Sequence, residues 1–408
     1  MNDKDILILG AGFAGLTASK ELAGFGNVTI IDPSPYFEFF PNIHELVSGF
    51  KSLEDLRLDL RKIVESRGQT FVQEKAISLD RKNKQVHTES GDSYHYDCLI
   101  VAIGGVSNNH GVAGVDEFTY PFKTAAECHA IGERLRHLES KGRPYQITIV
   151  GGGVEGIESL GEILRTYGGS NRISINLVEG RDRLLPGMAP QVHQSILKIC
   201  QDFPVKFHFE QRVDKVEAEQ LTLSNQEVLP SDLTIWTGGV KSHPQLESWG
   251  LAASNSSAKV NSFLQSEKSD DILVIGDAID VNGGGEKQAY LAIEMGEVAA
   301  QNARAMMKGK SLKRYKPTNL PAVYSFGNLN CFIVYKDFAL SGLAFAGLKE
   351  AIYQLNMTSI QGIPTRADQV TEVISRGING TVSSLYSFFD SPVPLLSRVS
   401  VELLHPYK

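Results

Sequence analysis

Asp5-Ile6-Leu7-Ile8-Leu9-Gly10-Ala11-Gly12-Phe13-Ala14-Gly15-Leu16 decides how the rest of the chain is read. A short apolar run closes in Gly-x-Gly-x-x-Gly and a helix-like spacing (Leu16, Ala18, Leu22) follows. A second apolar run, Val28-Thr29-Ile30-Ile31, then ends in Asp32. The order is strand, glycine turn, helix, and a second strand tipped by a carboxylate. Gly10 permits the tight turn, Gly12 lets a pyrophosphate approach the backbone, and Gly15 lets helix and strand pack closely. The helix N-terminus offers free N–H groups and a positive dipole end to phosphate. Asp32, 20 residues beyond Gly12, is placed to accept from ribose hydroxyls. The expected ligand is a dinucleotide, with Gly10, Gly12, Phe13, Ala14, Gly15 and Asp32 around it.

A second copy of the pattern starts at Gln146-Ile147-Thr148-Ile149-Val150-Gly151-Gly152-Gly153-Val154-Glu155-Gly156. Its following strand, Ile173 to Val178, again ends in an acid, Glu179. Two fingerprints in one chain multiply the odds against chance. They suggest a relay between a tightly held flavin dinucleotide and a transient nicotinamide nucleotide. Glu179 favours NADH over NADPH, because a carboxylate binds a ribose 2′-hydroxyl and repels a 2′-phosphate. Arg181 and Arg183 close by soften that preference. Between the two copies, Pro33 to Pro41 is aromatic and rigid, suited equally to walling a flat ring system or plugging the core. Thr70 to His95 alternates as an antiparallel meander would, and Tyr96 to Gly105 reads as a buried strand ending in glycines. A helix is expected from Phe122 to about Ser140.

The whole composition sets limits. At 408 residues, with 42% hydrophobic and 21% charged side chains, the chain is long enough for two or three ordinary globular domains. A net charge of −7 argues against nucleic acid as a partner. Charge is uneven, however: Arg304 to Lys349 holds eight bases and one acid, so this stretch is +7 and the remainder −14. Four cysteines, at 98, 128, 200 and 331, form no Cys-x-x-Cys pair, and ten dispersed histidines show no ligand spacing; no metal is expected. The chain enters its first strand within five residues and has no run of eighteen apolar residues. A cytoplasmic location without a signal peptide or spanning helix is therefore expected.

These motifs, in this order, resemble a flavoprotein with two dinucleotide-binding domains, most of all the type II NADH dehydrogenases (NADH:quinone oxidoreductases). The similarity spans about Asp5 to Gly362. Phe40-Pro41-Asn42-Ile43-His44-Glu45-Leu46 is similar to that family's flavin-flanking segment, and Tyr96 to Gly104 to its strand beside the flavin. Gly151 to Glu158 resembles its NADH motif, which implies that Glu158 reaches the flavin–nicotinamide contact. Ile235-Trp236-Thr237-Gly238-Gly239-Val240 is close to its Trp-Thr-Ala-Gly-Val signature. Gly276-Asp277 matches its second flavin motif, which implies that Asp277 holds the ribityl chain. A glycine-rich loop (Gly283 to Gly285) leads from there towards a helix running from Gln288 to about Met307. Gly347-Leu348-Lys349-Glu350-Ala351-Ile352 resembles a membrane-facing helix with a basic residue, which would give Lys349 a place at the quinone entrance.

The resemblance departs at the helix beneath the flavin. The family's glutamine near quinone falls on Tyr290, not Gln288, and Gly285 to Ala292 is closer to the ferroptosis-suppressor branch of the apoptosis-inducing-factor relatives. The implied flavin contacts are Pro41, Ala102, Gly104, Gly276, Asp277, Gln288 and Ala289; the NADH contacts are Gly151, Gly153, Val154, Glu155, Gly156, Glu179 and Gly239. Glu158, Tyr290 and Lys349 are the implied catalytic residues. Sulfide:quinone reductases share the architecture but need a flavin-flanking cysteine pair.

The expected fold is α/β, with two Rossmann-like domains, the second inserted in the first, and an α-rich C-terminal segment. FAD would occupy 1–112 and 268–316, and NADH 113–267; 317–408 would face a membrane, a partner or a second copy as a homodimer. In the last segment Phe345, Leu348, Ile352 and Leu355 lie at helical spacing, fitting either core or a membrane surface. Ser383 to Lys408 either covers the catalytic domains or mediates association. The expected activity is electron transfer from NADH through FAD to a quinone, at the inner face of the cell membrane. Two alternatives stand beside it: a soluble reductase of a protein or specialised small molecule, and a low-turnover nucleotide sensor.

Overall fold

All four residues Ile6 to Leu9 are buried, so both faces of their strand are covered, as in a parallel sheet flanked by helices. The computed structural model, which describes residues 4–280 and 288–362 and the backbone of 402–404, shows that sheet. The chain divides into two units, each described in turn. The first comprises the described residues of Met1–Pro41, Arg57–Asn108 and Val240–Asn319. Its six strands run in the order Gln265–Ser266, Ser269–Val274, Cys98–Val101, Asp5–Leu9, Asn27–Ile31, Thr70–Val72. All neighbours are parallel except the first pair. The helices Phe13–Glu21 and Ala289–Met307 pack so closely that a Cβ on Gly296 would meet the carbonyl oxygen of Ala14. The expected meander is present as Ala76–Asp80, Gln85–Thr88 and Ser93–His95, whereas Thr70–Val72 joins the parallel sheet. In the aromatic segment, Phe37 and Phe39 are buried against Phe13 while Tyr36 and Phe40 are exposed.

The second unit comprises the described residues of Asn42–Leu56, Asn109–Gly239 and Leu320–Lys408. Its parallel sheet runs Tyr120–Pro121, Leu233–Trp236, Tyr145–Val150, Ile173–Val178, Val205–His208. A three-stranded antiparallel sheet (Val213–Glu217, Gln220–Leu223, Val228–Pro230) packs Val213, Val216 and Leu221 into one cluster with Val150 and Trp236. Helix Ala125–Ser140 opens on a capping box in which Thr124 and Glu127 satisfy each other's backbone N–H. The C-terminal part holds the expected helix, Ala344–Gln361, and adds a sheet ahead of it. That sheet runs Ala322–Phe326, Asn330–Tyr335, Phe338–Ser341 and the backbone of Glu402–Leu404.

Four boundaries differ from the sequence-based division, the first at 109–112, which pack with the second unit. Residues 240–267 pack with the first unit, because Val240–Ser242 pairs with Gly105–Ser107. Residues 42–56 pack with the second, where a Cβ on Gly132 would meet the carbonyls of Leu46 and Val47. Leu320 onward belongs to the second unit as well. Among the described residues no helix is long and apolar enough to cross a membrane.

Candidate functional site

In the first unit, the strand Asp5–Leu9 stops at Gly10, whose φ of +95° turns the chain, and its N–H donates to Ile31 O at 2.9 Å. A Cβ on Gly15 would lie inside the Gly10 carbonyl, whereas a Cβ on Gly12 would meet nothing within 4 Å. The third glycine therefore closes the packing, and the second leaves open space at a helix N-terminus, the cradle a pyrophosphate requires. Asp32 accepts from Ala11 N–H at 2.7 Å through one oxygen and from Ser34 N–H at 2.8 Å through the other. Burial pushes its carboxyl above the usual range, and those two N–H groups pull it back. Each oxygen keeps a lone pair for a ribose hydroxyl.

The strand Ser269–Val274 delivers Gly276, whose φ is +69°, beside this turn: a Cβ there would sit 3.4 Å from that of Ala14. Asp277, next in the short 3₁₀ turn Gly276–Ala278, is thus held near the first glycine motif within the same unit. Ala102 shares that edge, since a Cβ on Gly10 would strike its backbone, and Gly104 turns the chain with φ +67°. Gln288 precedes helix Ala289–Met307, and Tyr290 is half-buried in its first turn; Pro41 is half-buried too. The glycine loop 283–285 lies outside the described residues.

The second unit repeats the first turn nearly atom for atom. Gly151 has φ +113° and its N–H donates to Val178 O at 2.8 Å. Gly153 is open as Gly12 is, and Gly156 crowds Gly151 as Gly15 crowds Gly10. Glu179 accepts from Gly152 N–H at 2.7 Å and from Arg181 N–H at 2.8 Å, the same two positions relative to turn and acid that Asp32 uses. Val154 and Glu155 start helix Val154–Tyr167. Thr237 braces the turn from below, its hydroxyl donating to Val150 O at 2.8 Å, and Gly239 follows with φ +89°. Arg183 spends its guanidinium on Pro186 O at 2.7 Å.

Further along helix Val154–Tyr167 lies a polar cluster enclosed within the same unit. Lys349 Nζ is 2.7 Å from Glu158 Oε1, 2.9 Å from Ser325 Oγ and 3.2 Å from His44 Nε2. His44 Nε2 is also 2.9 Å from Ser325 Oγ, and its Nδ1 is 3.5 Å from Glu158 Oε2. All four residues are buried. Burial, then the positive charges of Lys349, Arg165 and Lys51, hold the imidazole well below its ordinary value, so it is neutral. Around the four sit Glu45, bonded by Asn42 Nδ2 at 2.8 Å, and Glu162, bonded by Ser48 and by Arg165 at 3.2 Å. Burial raises both carboxyls. Lys51 approaches Glu45 at 3.8 Å and pairs with Glu350 at 2.9 Å.

Two of the three expected catalytic residues, Glu158 and Lys349, thus meet directly across 191 positions. Lys349 faces inward and takes no part in a basic surface. The buried stripe of helix Ala344–Gln361 is Lys349, Tyr353 and Met357, while Phe345, Leu348, Ile352 and Leu355 are half-buried on its flanks. Three acceptors make a buried lysine tolerable there. Of the other bases in the +7 stretch, Lys308, Lys310, Lys313, Arg314 and Lys316 are exposed, and Arg304 folds back onto Glu21 O. Sequence reasoning missed His44 and Ser325 as site residues. His44 lay inside the quoted flavin-flanking segment, but only its burial beside Lys349 reveals it. The segment 383–408 lies outside the described residues apart from the backbone of 402–404.

A family model described as pyridine nucleotide-disulphide oxidoreductase matches residues 4–296. A type II NADH:quinone oxidoreductase from Staphylococcus epidermidis is 27% identical over 394 residues, covering 88% of this chain and 96% of that protein. The Staphylococcus aureus protein of the same name is 24% identical over 392 residues, with the same coverage. Among solved structures, the sulfide:quinone oxidoreductase of Aquifex aeolicus superposes with a TM-score of 0.78 at 19% identity, covering 91% of this chain and 95% of that one. NDH2 from Plasmodium falciparum in complex with NADH gives 0.77 at 17%, covering 87% and 94%. At such identities the superpositions speak for the shared fold. The family match spans well over half of the sequence and contains both glycine turns with their acids, and on that ground the chain belongs to the pyridine nucleotide-disulphide oxidoreductase family.

Proposed function

We propose that the protein is an FAD-dependent NADH:quinone oxidoreductase, with FAD at the first glycine turn and NADH at the second. The observation that carries this reading is the repeated turn: an open second glycine at a helix N-terminus beside an acid held by two backbone N–H groups. FAD, when bound, accepts two electrons from NADH and releases them to the acceptor. The chain's own residues do the rest. Gly12 and Gly153 leave room for the pyrophosphates, and Asp32 and Glu179 take the riboses. Asp277, beside the first turn, holds the ribityl chain. Glu179 favours NADH, since its carboxylate repels a 2′-phosphate, while Arg183 spends one of its donors on Pro186 O. Glu158 orients the nicotinamide, with Lys349 as its fixed counter-charge.

Quinone as the acceptor follows the similarity to the type II NADH:quinone oxidoreductases of the two Staphylococcus species. A sulfide-oxidising role fits less well. All four cysteines are buried and free, and burial lifts the thiols of Cys98 and Cys200 to about 12 and of Cys331 to about 11. Thiols at such values stay protonated near neutrality and are poor nucleophiles. Steady-state NADH oxidation with a short-chain quinone, and ferricyanide as control, tests the acceptor. Turnover with quinone is expected. Turnover with ferricyanide alone would move the acceptor to a protein or another small molecule, and turnover with neither would leave a nucleotide sensor.

A further inference from the structure

We infer that His44 is a positioning residue: a neutral imidazole, protonated at Nδ1, that locks Glu158 and Lys349 into one relative orientation. The inference rests on the NADH reading for its consequence but on geometry for its substance. An ammonium has three N–H donors and no acceptor. Lys349 aims them at Glu158 Oε1, Ser325 Oγ and His44 Nε2. An Nε2 that faces a lysine must present its lone pair, so the ring proton sits on Nδ1. That nitrogen faces the second oxygen of Glu158 at 3.5 Å. The imidazole therefore closes a ring of contacts: Glu158, Lys349, His44 and back to Glu158. Ser325 Oγ bridges the lysine and the imidazole from the strand Ala322–Phe326.

The surrounding charges bear on whether the ring is neutral, not on which nitrogen carries its proton. Helix Val154–Tyr167 presents Glu158, Glu162 and Arg165, the segment around Glu45–Ser48 presents Glu45 and Lys51, and helix Ala344–Gln361 presents Lys349. Glu350 pairs with Lys51 towards solvent, which makes four acids against three bases, and Cys331 contributes a protonated thiol from strand Asn330–Tyr335. A protonated His44 would place a fourth positive charge beside Lys349 in a water-poor interior. The depressed imidazole value agrees with that arrangement. A ring that cannot readily take up a proton here serves to orient its neighbours, and Glu158 is the neighbour assigned to the nicotinamide.

The test uses the full-length flavoprotein labelled with ¹⁵N-histidine. Two-bond ¹H–¹⁵N spectra without nucleotide, with the His44 signal assigned by its absence from His44→Gln, should show the Nδ1–H tautomer and no imidazolium at neutral pH. An imidazolium or an Nε2–H tautomer at neutral pH would overturn the inference. In rapid mixing with NADH, His44→Leu should slow flavin bleaching about tenfold, and His44→Gln, which keeps a donor and an acceptor, should recover part of the rate. Combined with Glu158→Gln, the His44→Leu loss should be less than additive, because both changes break one contact ring. Full additivity, or a His44→Leu rate equal to wild type, would contradict positioning. If His44→Leu does not fold, the tautomer decides the matter. A wild type that NADH fails to bleach would defeat the proposed function and leave the tautomer result standing.

Discussion

Lys349 and Glu158 make the sharpest case for what a single buried side chain can cost. Each neutralises the other at 2.7 Å, and both have lost most of their water. Removing one partner from such a pair typically destabilises by about 3–5 kcal/mol, because the survivor is left charged and dry. Lys349→Met should therefore lower the denaturant midpoint strongly, and adding Glu158→Gln should recover much of the loss. Equal losses in the single and double variants would mean that the pair is not coupled. His44 gives a prediction with pH. Its folded value lies below the unfolded value of 6.5, so the unfolded chain binds the extra proton in the window beneath 6.5. Its contribution to stability is present above that pH and is lost as pH falls through the folded value. His193, His208 and His243 act in the same direction, while Glu45 and Glu162, raised from 4.5, oppose them above that value. Urea unfolding of His44→Gln from pH 7 to 5 should show a shallower acid slope than wild type. An unchanged slope would place His44 outside the buried, neutral set.

Elements carry the cluster to its place, and one glycine shows how. Gly161 lies three residues beyond Glu158 on the same helix face, where a Cβ would run into Phe326 and Gly327 of the neighbouring strand end. The close approach is what sets Ser325 beside Glu158. Gly161→Ala should push the strand away, destabilising the fold and slowing flavin reduction by NADH together. Gly12→Ala is the counterpart: with nothing within 4 Å of the new methyl, it should fold normally yet lose FAD on gel filtration. Retained, fully bound FAD would show that the phosphates sit elsewhere. The two turns were legible in the sequence, because their glycines and acids act within some twenty-odd residues through backbone geometry alone. The cluster was not, because its four members come from segments separated by as much as 305 positions. Helix Ala344–Gln361 misled for a related reason. Hydropathy spacing points to Phe345, Leu348, Ile352 and Leu355, but the buried stripe contains a lysine whose acceptors are invisible to any local pattern.

For the protein as a whole, the exposed bases Lys308, Lys310, Lys313, Arg314 and Lys316 form a run without an acid. Near an anionic membrane each well-placed base contributes about 1 kcal/mol, less as salt rises. Flotation with anionic liposomes should recover wild type at low salt, and a variant with Lys308, Lys310, Lys313 and Arg314 changed to glutamine should stay behind. Wild type that does not float at low salt would remove the membrane from the account. The relay itself is tested most directly by anaerobic sequential mixing of the purified, FAD-loaded protein, first with NADH and then with a short-chain quinone. NADH should bleach the flavin absorption far faster than NADPH does, and the quinone should restore it in full. A flavin that NADH leaves coloured, or a bleached flavin that quinone does not reoxidise, would contradict the account.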